Sequence, residues 1–437
     1  MIPQKSVLIA VALGLATPGI FGANPLFGRR ADFPVGRSPR AVVAADFNAD
    51  GRLDLAIAND SSNTVTVLIN LGNGDFASAV AYPVGQSPIS LCAADLDGDN
   101  HVDLAVACAN ADSISVLRNL GDGTFGAPVD LAVQHFPAAI CAGDFNEDSK
   151  PDLAVSNYSS NTVSVLLNLG GGVFAKPVNY PVLSGPIGIY CADVNGDTKK
   201  DLVVAEFLSN SVSVLMNGGA GAFDSAVSYS VGGQPGGVCA DHFSSRYVLD
   251  LAAVNLFSDN VSLLHNKGNG TFAAAQNYAV GNLPENIGAV DFDGSGISDL
   301  AIANFASDSI SILHNNGTGA FAAAVNYQVG TGPNSICAAD LDGDGRPDLA
   351  VANRTSGTVT VLYAWHCCQG VRGNINGAGA VDLGDLSALV SYLTGGGYVL
   401  PCPSSANING SGAVDLGDLS ALVSYLTGGG FLLPSCP

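Results

Sequence analysis

Phenylalanine recurs at a constant spacing of 49 residues through most of this 437-residue chain. Most of these residues follow a glycine-rich turn, such as LGDGTF at 120–125. A fixed period of this length predicts a repeat architecture in which each unit is one supersecondary element that buries its faces against its neighbours. The seven positions are Phe27, Phe76, Phe125, Phe174, Phe223, Phe272 and Phe321.

Each unit contains four strand-like segments. In the clearest unit they lie at 89–96, 102–108 and 113–117, and the equivalent of the fourth lies at 79–84, after Phe76. The segments are short, rich in β-branched or small residues, and bounded by turn formers. Four strands per unit and seven units predict an all-β fold, a seven-bladed β-propeller of 49-residue repeats.

The two ends of the repeat array complement each other. The last unit stops after its third strand, at 358–363, and the segment ADFPV at 31–35 matches a fourth strand. We therefore expect the N-terminal strand to complete the last blade, which closes the ring and removes open sheet edges.

An acidic loop, D-x-[DN]-x-D-x-x-x-D, separates the first and second strands in six of the seven units. Calcium takes six to eight hard oxygen ligands, and a tight loop directs alternate side chains toward one point, with a backbone carbonyl at the seventh position. Such closely spaced carboxylates repel one another without a cation. The other interpretation is a set of Asx-rich turns that favour tight backbone geometry.

Six loops in register favour calcium, about six ions in the propeller. The sixth loop has Ser295 in place of the third acid, and the fifth unit, 241–250, is one residue longer and lacks the middle acids, so we expect no calcium there. The predicted ligands are Asp46, Asn48, Asp50, Arg52 and Asp54; Asp95, Asp97, Asp99, His101 and Asp103; Asp144, Asn146, Asp148, Lys150 and Asp152; Asp193, Asn195, Asp197, Lys199 and Asp201; Asp291, Asp293, Ser295, Ile297 and Asp299; and Asp340, Asp342, Asp344, Arg346 and Asp348.

A second duplication occupies the C-terminal region, where GAVDLGDLSALVSYLTGGG stands at 379–397 and again at 412–430. Each copy follows an Asn-rich lead and predicts an EF-hand-like loop followed by a helix, with Leu386, Leu389, Val390 and Leu393 on one face of the first helix. An ordinary helical pair is the alternative. The predicted ligands, for up to two calcium ions, are Asn374, Asn376, Ala380 (carbonyl), Asp382 and Asp385; and Asn407, Asn409, Ser411, Ala413 (carbonyl), Asp415 and Asp418. The first copy has Ala378 at the fifth position, so its site is one oxygen short.

The charge balance excludes some partners. The chain has 16 Lys and Arg against 38 Asp and Glu, a net charge of −22, whereas nucleic acids and anionic membranes require a cationic surface. Of the 38 acidic residues, 24 lie at proposed sites, and eight calcium ions would bring the net charge to about −6.

The N-terminus has the pattern of an export signal. Lys5 precedes an apolar run at 7–15 and small residues up to Ala23. The run is too short for a membrane anchor. We therefore expect a signal peptide at 1–23, a propeller at 24–366 and a calcium-binding module at 367–437, in a protein that is secreted or associated with the cell surface.

Ten cysteines raise the question of disulfides in an exported protein. We expect those of the propeller to be small packing residues, with Cys108 as a candidate partner of Cys92. Two disulfides are expected among Cys367, Cys368, Cys402 and Cys436, with two connectivities open. Zinc is the alternative, but no C-x-x-C spacing is present.

No nucleophile–base pair, phosphate-binding loop or isolated carboxylate pair stands out, so the sequence predicts no enzyme. His265 and His314 lie one repeat apart and are consistent with repeat consensus rather than catalysis.

Residues 27–366 resemble the FG-GAP/VCBS repeats of integrin-α-like propellers through the recurring D-x-[DN]-x-D loop. That resemblance implies a calcium-binding propeller in a family that includes adhesion proteins, lectin-like binders and some polysaccharide lyases. Residues 367–437 resemble a type I dockerin, which implies a cohesin-like partner. Where dockerins usually carry Ser or Thr for cohesin choice, this sequence has Leu383-Gly384 and Leu416-Gly417. Because the two copies are identical there, either could dock after a half-turn.

Three functional hypotheses follow. The first is an extracellular adhesion or structural protein that binds a protein or glycan ligand on a propeller face and docks through its C-terminal module to a cohesin-like or cell-surface partner. The second is a carbohydrate-active enzyme, such as a polysaccharide lyase, that carries a dockerin; the single tryptophan, Trp365, argues against a sugar-stacking surface. The third is a C-terminal module that only caps the propeller.

Overall fold

The computed structural model describes residues 26–72, 74–364, 383–394 and 416–427. Residues 27–364 form one compact unit, and the two C-terminal helices belong to a second. No helix in these ranges has the length and apolarity needed to cross a membrane. The predicted signal peptide, the four C-terminal cysteines and nine of the predicted C-terminal ligands lie outside the described residues.

Seven antiparallel four-stranded sheets, one for each repeat, form the seven-bladed β-propeller that the period predicts. The first strands are Pro39–Ala45, Pro88–Ala94, Pro137–Gly143, Pro186–Ala192, Pro235–Asp241, Pro284–Val290 and Pro333–Ala339. The second strands are Asp54–Asn59, Asp103–Cys108, Asp152–Asn157, Asp201–Glu206, Asp250–Asn255, Asp299–Asn304 and Asp348–Asn353.

The third strands are Thr64–Leu68, Ser113–Leu117, Thr162–Leu166, Ser211–Leu215, Asn260–Leu264, Ser309–Leu313 and Thr358–Ala364. The fourth, outer strands are Val80–Pro83, Val129–Ala132, Val178–Pro181, Val227–Ser230, Gln276–Ala279 and Val325–Gln328, with Phe27–Pro34 as the outer strand of the seventh blade. Short hairpins pair Asn70–Gly72 with Asp75–Phe76, Asn168–Gly170 with Val173–Phe174, and Asn217–Gly219 with Ala222–Phe223.

Burial differs from strand to strand in a way that the residue types explain. All residues of the second strands are buried, and their small and β-branched side chains fit a strand that is covered on both faces. In the outer strands of the first two blades three of the four residues are exposed and the third is half-buried, as expected of an edge that faces solvent.

The N-terminal strand closes the ring, as the sequence predicts. Phe27–Pro34 pairs antiparallel with Thr358–Ala364, and Ala31 lies opposite Val361. The hydroxyl of Thr360 also donates a hydrogen bond to the Asp32 carboxylate. The last blade is therefore built from both ends of the repeat array, and the sheet has four strands like the others.

The periodic phenylalanines pack between neighbouring blades. The ring of Phe125, in the second blade, lies edge-on to Phe47 and Tyr82 of the first blade, with centroid distances of 5.4 and 5.5 Å. Phe27 makes the same kind of contact with Phe292 and Tyr327 of the sixth blade. Burial of one such ring contributes about 1.5–3 kcal/mol, which explains why each repeat retains it.

The C-terminal duplication forms two helices, α1 (Leu383–Leu393) and α2 (Leu416–Leu426). Each begins inside the predicted loop, so that Asp385 and Asp418 are buried in the first turn, where the helix dipole favours an acid. Leu389 is buried but Val390 is partly exposed, which corrects the predicted apolar face. The reason is that the buried positions of α1, 385, 388 and 389, follow the i, i+3, i+4 spacing.

The six cysteines of the propeller are free thiols, so the suggested pairing of Cys92 with Cys108 is wrong. The strand register explains this, because Cys92 lies opposite Ala105 and Cys108 lies opposite Pro88.

Candidate functional site

Each of the six acidic loops wraps its backbone around its first carboxylate. In the seventh blade Asp340 accepts hydrogen bonds from the backbone N–H groups of Gly343, Asp344 and Gly345, at 2.8, 3.0 and 2.8 Å. This path requires left-handed backbone at the fourth and sixth loop positions, where Gly343 and Gly345 have φ of 81° and 83°. The sequence thus builds a loop whose side-chain oxygens converge.

The fifth side chain of each loop caps the backbone at the seventh position. Asp344 accepts the N–H of Arg346 at 2.6 Å, and Ser295 does the same for Ile297 at 3.3 Å in the sixth loop. These are the bonds of an Asx-type turn, so the turn interpretation describes the local backbone correctly. It does not account for the other acids of the loop.

A basic side chain at the seventh position pairs with the fifth acid in loops one, three and four. The Lys150 ammonium lies 2.8 Å from the Asp148 carboxylate and lowers the pKa of Asp148. Lys199 with Asp197 and Arg52 with Asp50 repeat the arrangement. The seventh-position carbonyls remain predicted ligands, but the side chains at this position supply a counter-charge that the sequence analysis did not anticipate.

The ninth acid is fully buried and holds two parts of its blade together. Asp103 accepts the N–H of Leu96 at 2.9 Å through one oxygen and the N–H of Asn119 at 2.8 Å through the other. Asp250 in the fifth blade makes the equivalent bonds to Ser244 and Asn266, at 2.8 and 2.7 Å, although its loop lacks the middle acids. The ninth acid therefore has a structural role that needs no metal.

Two loops bring three carboxylates close enough to share one cation. Ligand oxygens of Asp95, Asp97 and Asp103 all lie within 4.8 Å of one another, and the same holds for Asp340, Asp342 and Asp348. Two oxygens bound to one calcium ion at about 2.4 Å can be at most about 4.8 Å apart, so both clusters fit this ion. Of the described residues, these two loops alone form such a three-acid group.

The remaining four loops differ in their third or ninth positions. Loops one, three and four have an asparagine at the third position, Asn48, Asn146 and Asn195. In the sixth blade the Nδ1 atom of His314 lies 3.2 Å from an oxygen of Asp299, and this contact raises the pKa of His314. The structure therefore places all the predicted propeller ligands in equivalent loops but assembles the tightest acidic groups in the second and seventh.

The electrostatics of the two clusters favour a cation. Burial, together with the neighbouring acids of each loop, raises the pKa of Asp103 to about 6 and that of Asp348 to about 7. Asp201 in the fourth loop is raised to about 6 by the same causes. These carboxylates are costly to ionise on their own, and a divalent ion would stabilise their charged forms.

An asparagine after the third strand connects each loop to the preceding blade, and the sequence analysis missed it. The Nδ2 group of Asn119 donates to the carbonyl of Phe47, in the first loop, at 2.8 Å. The signal was present as a 49-residue period of asparagines: Asn70, Asn119, Asn168, Asn217, Asn266 and Asn315. The seventh blade has Ala364 at this position.

The fifth loop contacts the sixth loop instead of forming an acidic group. Asp241 accepts a hydrogen bond from the Ser298 hydroxyl at 2.9 Å, and Arg246 donates to the carbonyl of Ser295. Hydrogen bonds to the sixth loop thus stand where the other loops have their middle acids.

Comparison with known proteins identifies the repeats. The profile of the FG-GAP-like repeat matches residues 46–106, 95–155, 144–204 and 291–351, which together cover just over half of the chain. No curated protein sequence matches the chain.

Solved structures share the fold at low identity. The structure of BBS1N in complex with ARL6DN is 14% identical, with a TM-score of 0.58 over 79% of this chain and 98% of that one. Virginiamycin B lyase from Staphylococcus aureus is 14% identical, with a TM-score of 0.55 over 77% and 99%. A putative 6-phosphogluconolactonase from Bacteroides fragilis is 16% identical, with a TM-score of 0.54 over 68% and 86%. Identities this low show only a shared propeller fold, whereas the matched repeats and their acidic loops show that the chain belongs to the FG-GAP-like repeat family.

Proposed function

We propose that this protein is a calcium-binding propeller with a ligand-binding or structural role and no catalytic activity. The observation that carries the proposal is the pair of three-carboxylate groups, Asp95–Asp97–Asp103 and Asp340–Asp342–Asp348, each compact enough for one ion. The family match adds that such repeats form propellers, and the acidic loops are the feature of this chain that calls for a cation.

The loop residues have distinct roles in this proposal. The first, third and ninth acids would hold the ion, and the ninth acid would transmit its effect to the blade through the buried backbone bonds that it already accepts. Bound calcium would neutralise carboxylates whose pKa is raised by burial and by one another. The consequence is a stiffer loop face, without any chemical step.

Calcium titration of the purified protein tests the proposal directly. We expect calorimetry and metal analysis to show bound calcium, and Asp97→Ala or Asp342→Ala, which remove the third-position oxygen altogether, to remove about one ion each. Asp224→Ala, which removes an exposed acid outside the loops, is the matched control and should leave the calcium content unchanged. Calcium-free protein with the same unfolding temperature in chelator and in millimolar calcium would contradict the proposal.

For the C-terminal region we propose a dockerin-like tandem module at 367–437 that attaches the propeller to a cohesin-like or cell-surface partner. Its support is the pair of identical helices, each with a buried acid, Asp385 or Asp418, in its first turn. The full chain should bind a purified type I cohesin in calcium and release it in chelator. Double substitution Asp385→Asn/Asp418→Asn should abolish this binding; a cohesin that never binds the unmodified chain would reject the docking role.

We further propose that residues 1–23 direct export and that the mature protein, with its propeller at 24–366, acts outside the cell. The support is the sequence pattern of the N-terminus. Mass spectrometry of the protein from the culture medium would test it, because the N-terminal peptide of the exported form should begin near residue 24.

A further inference from the structure

The first strands of the seven blades surround a central channel, and the end of this channel away from the acidic loops is lined by a different set of side chains. Every first strand begins with a proline, and the residue that follows each proline lines one cavity of about 280 Å³. From Arg40 to Asp46 the first strand spans roughly 20 Å, at about 3.3 Å per residue, so this cavity mouth and the acidic loops lie at opposite ends. Residues further along the same strands complete the lining, and the seven that directly follow the prolines are Arg40, Ile89, Ala138, Ile187, Gly236, Glu285 and Asn334.

This ring of seven positions is divided into a polar and an apolar half. Glu285, Asn334 and Arg40 come from the consecutive blades six, seven and one. The residues from blades two to five are isoleucine, alanine, isoleucine and glycine. A seven-fold repeat would favour seven similar residues, so this division is a departure from the repeat that is specific to this end of the channel.

A second set of seven residues, here called the second tier, repeats the division into a polar and an apolar half. It is formed by the residue after each second strand, and it is aromatic or aliphatic in blades three to six: Tyr158, Phe207, Leu256 and Phe305. The rings of Tyr158 and Phe207 lie 6.4 Å apart. On the polar side the tier supplies Asp60 and Arg354, and the guanidinium of Arg354 lies over the Phe305 ring at 5.9 Å.

Two side chains of opposite charge at this mouth, Glu285 and Arg354, make no side-chain hydrogen bond or close ion pair within the part of the chain that the structure describes. Arg40 pairs with Asp60 at 3.3 Å, whereas Glu285 and Arg354 attract each other only at longer range. Burial raises the pKa of Glu285, while Arg40 and Arg354 act in the opposite direction. Half-buried charges whose side chains make no hydrogen bond are costly, and a ligand that carries both complementary charges would bond to both of them.

We propose that this mouth binds a small zwitterion with an apolar side group, that is, an apolar α-amino acid. The Arg354 guanidinium holds the carboxylate, the Glu285 carboxylate holds the ammonium group, and the apolar half of the ring covers the side group. A cavity of about 280 Å³ suits a ligand of this size rather than an oligosaccharide. The inference rests on the proposed ligand-binding role of the propeller, but not on calcium, because the two sites are at opposite ends of the first strands.

Calorimetric titration of the full chain with L-leucine and L-phenylalanine, in calcium and in chelator, tests the inference. Three probes dissect the ligand: leucinamide lacks the carboxylate, 4-methylpentanoate lacks the ammonium group, and glycine lacks the apolar side group. We expect each to bind at least tenfold more weakly than leucine. Glu285→Gln and Arg354→Met should each weaken leucine binding about ten- to a hundredfold, since each removes a charged hydrogen bond.

The controls separate this inference from the proposed function. Asp224→Asn, an exposed acid-to-amide change on another blade, should bind leucine like the unmodified chain, and circular dichroism should show that all variants are folded. Calcium binding without amino-acid binding overturns this inference alone, and amino-acid binding without calcium binding overturns only the calcium proposal. Equal binding of leucine and 4-methylpentanoate, unchanged binding by the Glu285 variant, or binding of galacturonate in place of leucine would each overturn it.

Discussion

The ninth acid of each loop has a structural role and, in six blades, a proposed role as a calcium ligand. One pair of substitutions distinguishes the structural role from the calcium-binding role. Asp250 belongs to the fifth blade, whose loop lacks the middle acids, whereas Asp103 belongs to the tightest acidic group. Both are fully buried and both accept two backbone hydrogen bonds. Asp250→Asn and Asp103→Asn therefore perturb the same two backbone hydrogen bonds, but only the second removes a proposed ligand; Asp250 additionally faces Nδ1 of His265 at 3.4 Å.

The magnitude follows from the two bonds. Asparagine retains one carbonyl oxygen and turns an amide donor toward the second backbone N–H, which leaves a buried donor unsatisfied. We expect a loss of about 2–4 kcal/mol in the free energy of unfolding. With an unfolding entropy of about 2.1 cal/mol/K per residue, a unit of residues 27–364 has about 0.7 kcal/mol/K, so the unfolding temperature should fall by about 3–6 °C.

Thermal unfolding at pH 8, in saturating calcium and in chelator, distinguishes the two roles. Asp250→Asn should lower the free energy of unfolding by the same amount in calcium and in chelator. Asp103→Asn should cost about 2.7 kcal/mol more at a calcium concentration one hundred times the dissociation constant, because it forfeits the stabilisation by the ion. Equal costs for Asp103→Asn in calcium and in chelator, or an Asp250→Asn variant as stable as the unmodified chain, would refute this reasoning.

Four further predictions concern the propeller. Deletion of residues 27–34 should expose the edge of Thr358–Ala364 and produce aggregation on size-exclusion chromatography, whereas deletion of 1–23 should not. Gly74→Ala should lower the unfolding temperature more than Gly268→Ala, because both glycines have positive φ but only at Gly74 would a Cβ overlap the Tyr363 ring. Asn168→Ala should cost about 1–3 kcal/mol in denaturant unfolding, since its amide donates to the carbonyls of Leu96 and Pro151 at 2.9 and 3.0 Å. In chelator, the free energy of unfolding should fall as pH rises from about 4 to about 7. The reason is that burial raises the pKa of Asp348 to about 7, so folding favours the protonated form of this carboxyl. An unfolding temperature that rises over this pH range would contradict the assignment.

The fold could be predicted from the sequence because a 49-residue period repeated seven times is typical of a seven-bladed propeller. Phe125 and its equivalents mark each unit, and the structure shows the reason, since each ring packs against the preceding blade. Closure by the N-terminal strand was equally readable, because the last unit lacks a fourth strand and 31–35 supplies one. The helix boundaries at the C-terminus were less accurate, since an acid such as Asp385 suits a calcium loop and the first turn of a helix equally well.

The sites were only partly readable. The loop pattern identified every acid, but it could not show that each oxygen of the ninth acid accepts a backbone hydrogen bond, because Asn119 lies 16 residues along the chain from Asp103. The sequence did not reveal Glu285 and Arg354 as neighbouring charges, since they lie on different blades and interact electrostatically only in the closed ring. Comparing the residues at one repeat position across all seven units would have identified both residues as departures from the repeat.

The six proposed calcium sites are not independent of one another, because hydrogen bonds connect the loops of neighbouring blades. In the second blade Asp103 binds the N–H of Asn119, and the side chain of Asn119 binds the carbonyl of Phe47 in the first loop. The same relay runs from blade to blade and reaches the seventh loop, where Asn70 donates to the carbonyl of Leu341 at 2.8 Å. It lacks one connection, because the seventh blade has Ala364 in place of asparagine. An ion that rigidifies one loop therefore acts on a carbonyl of the preceding loop through two hydrogen bonds. We therefore expect calcium to bind cooperatively around the ring. The coupling should be weakest between the seventh and sixth blades, where the asparagine is missing.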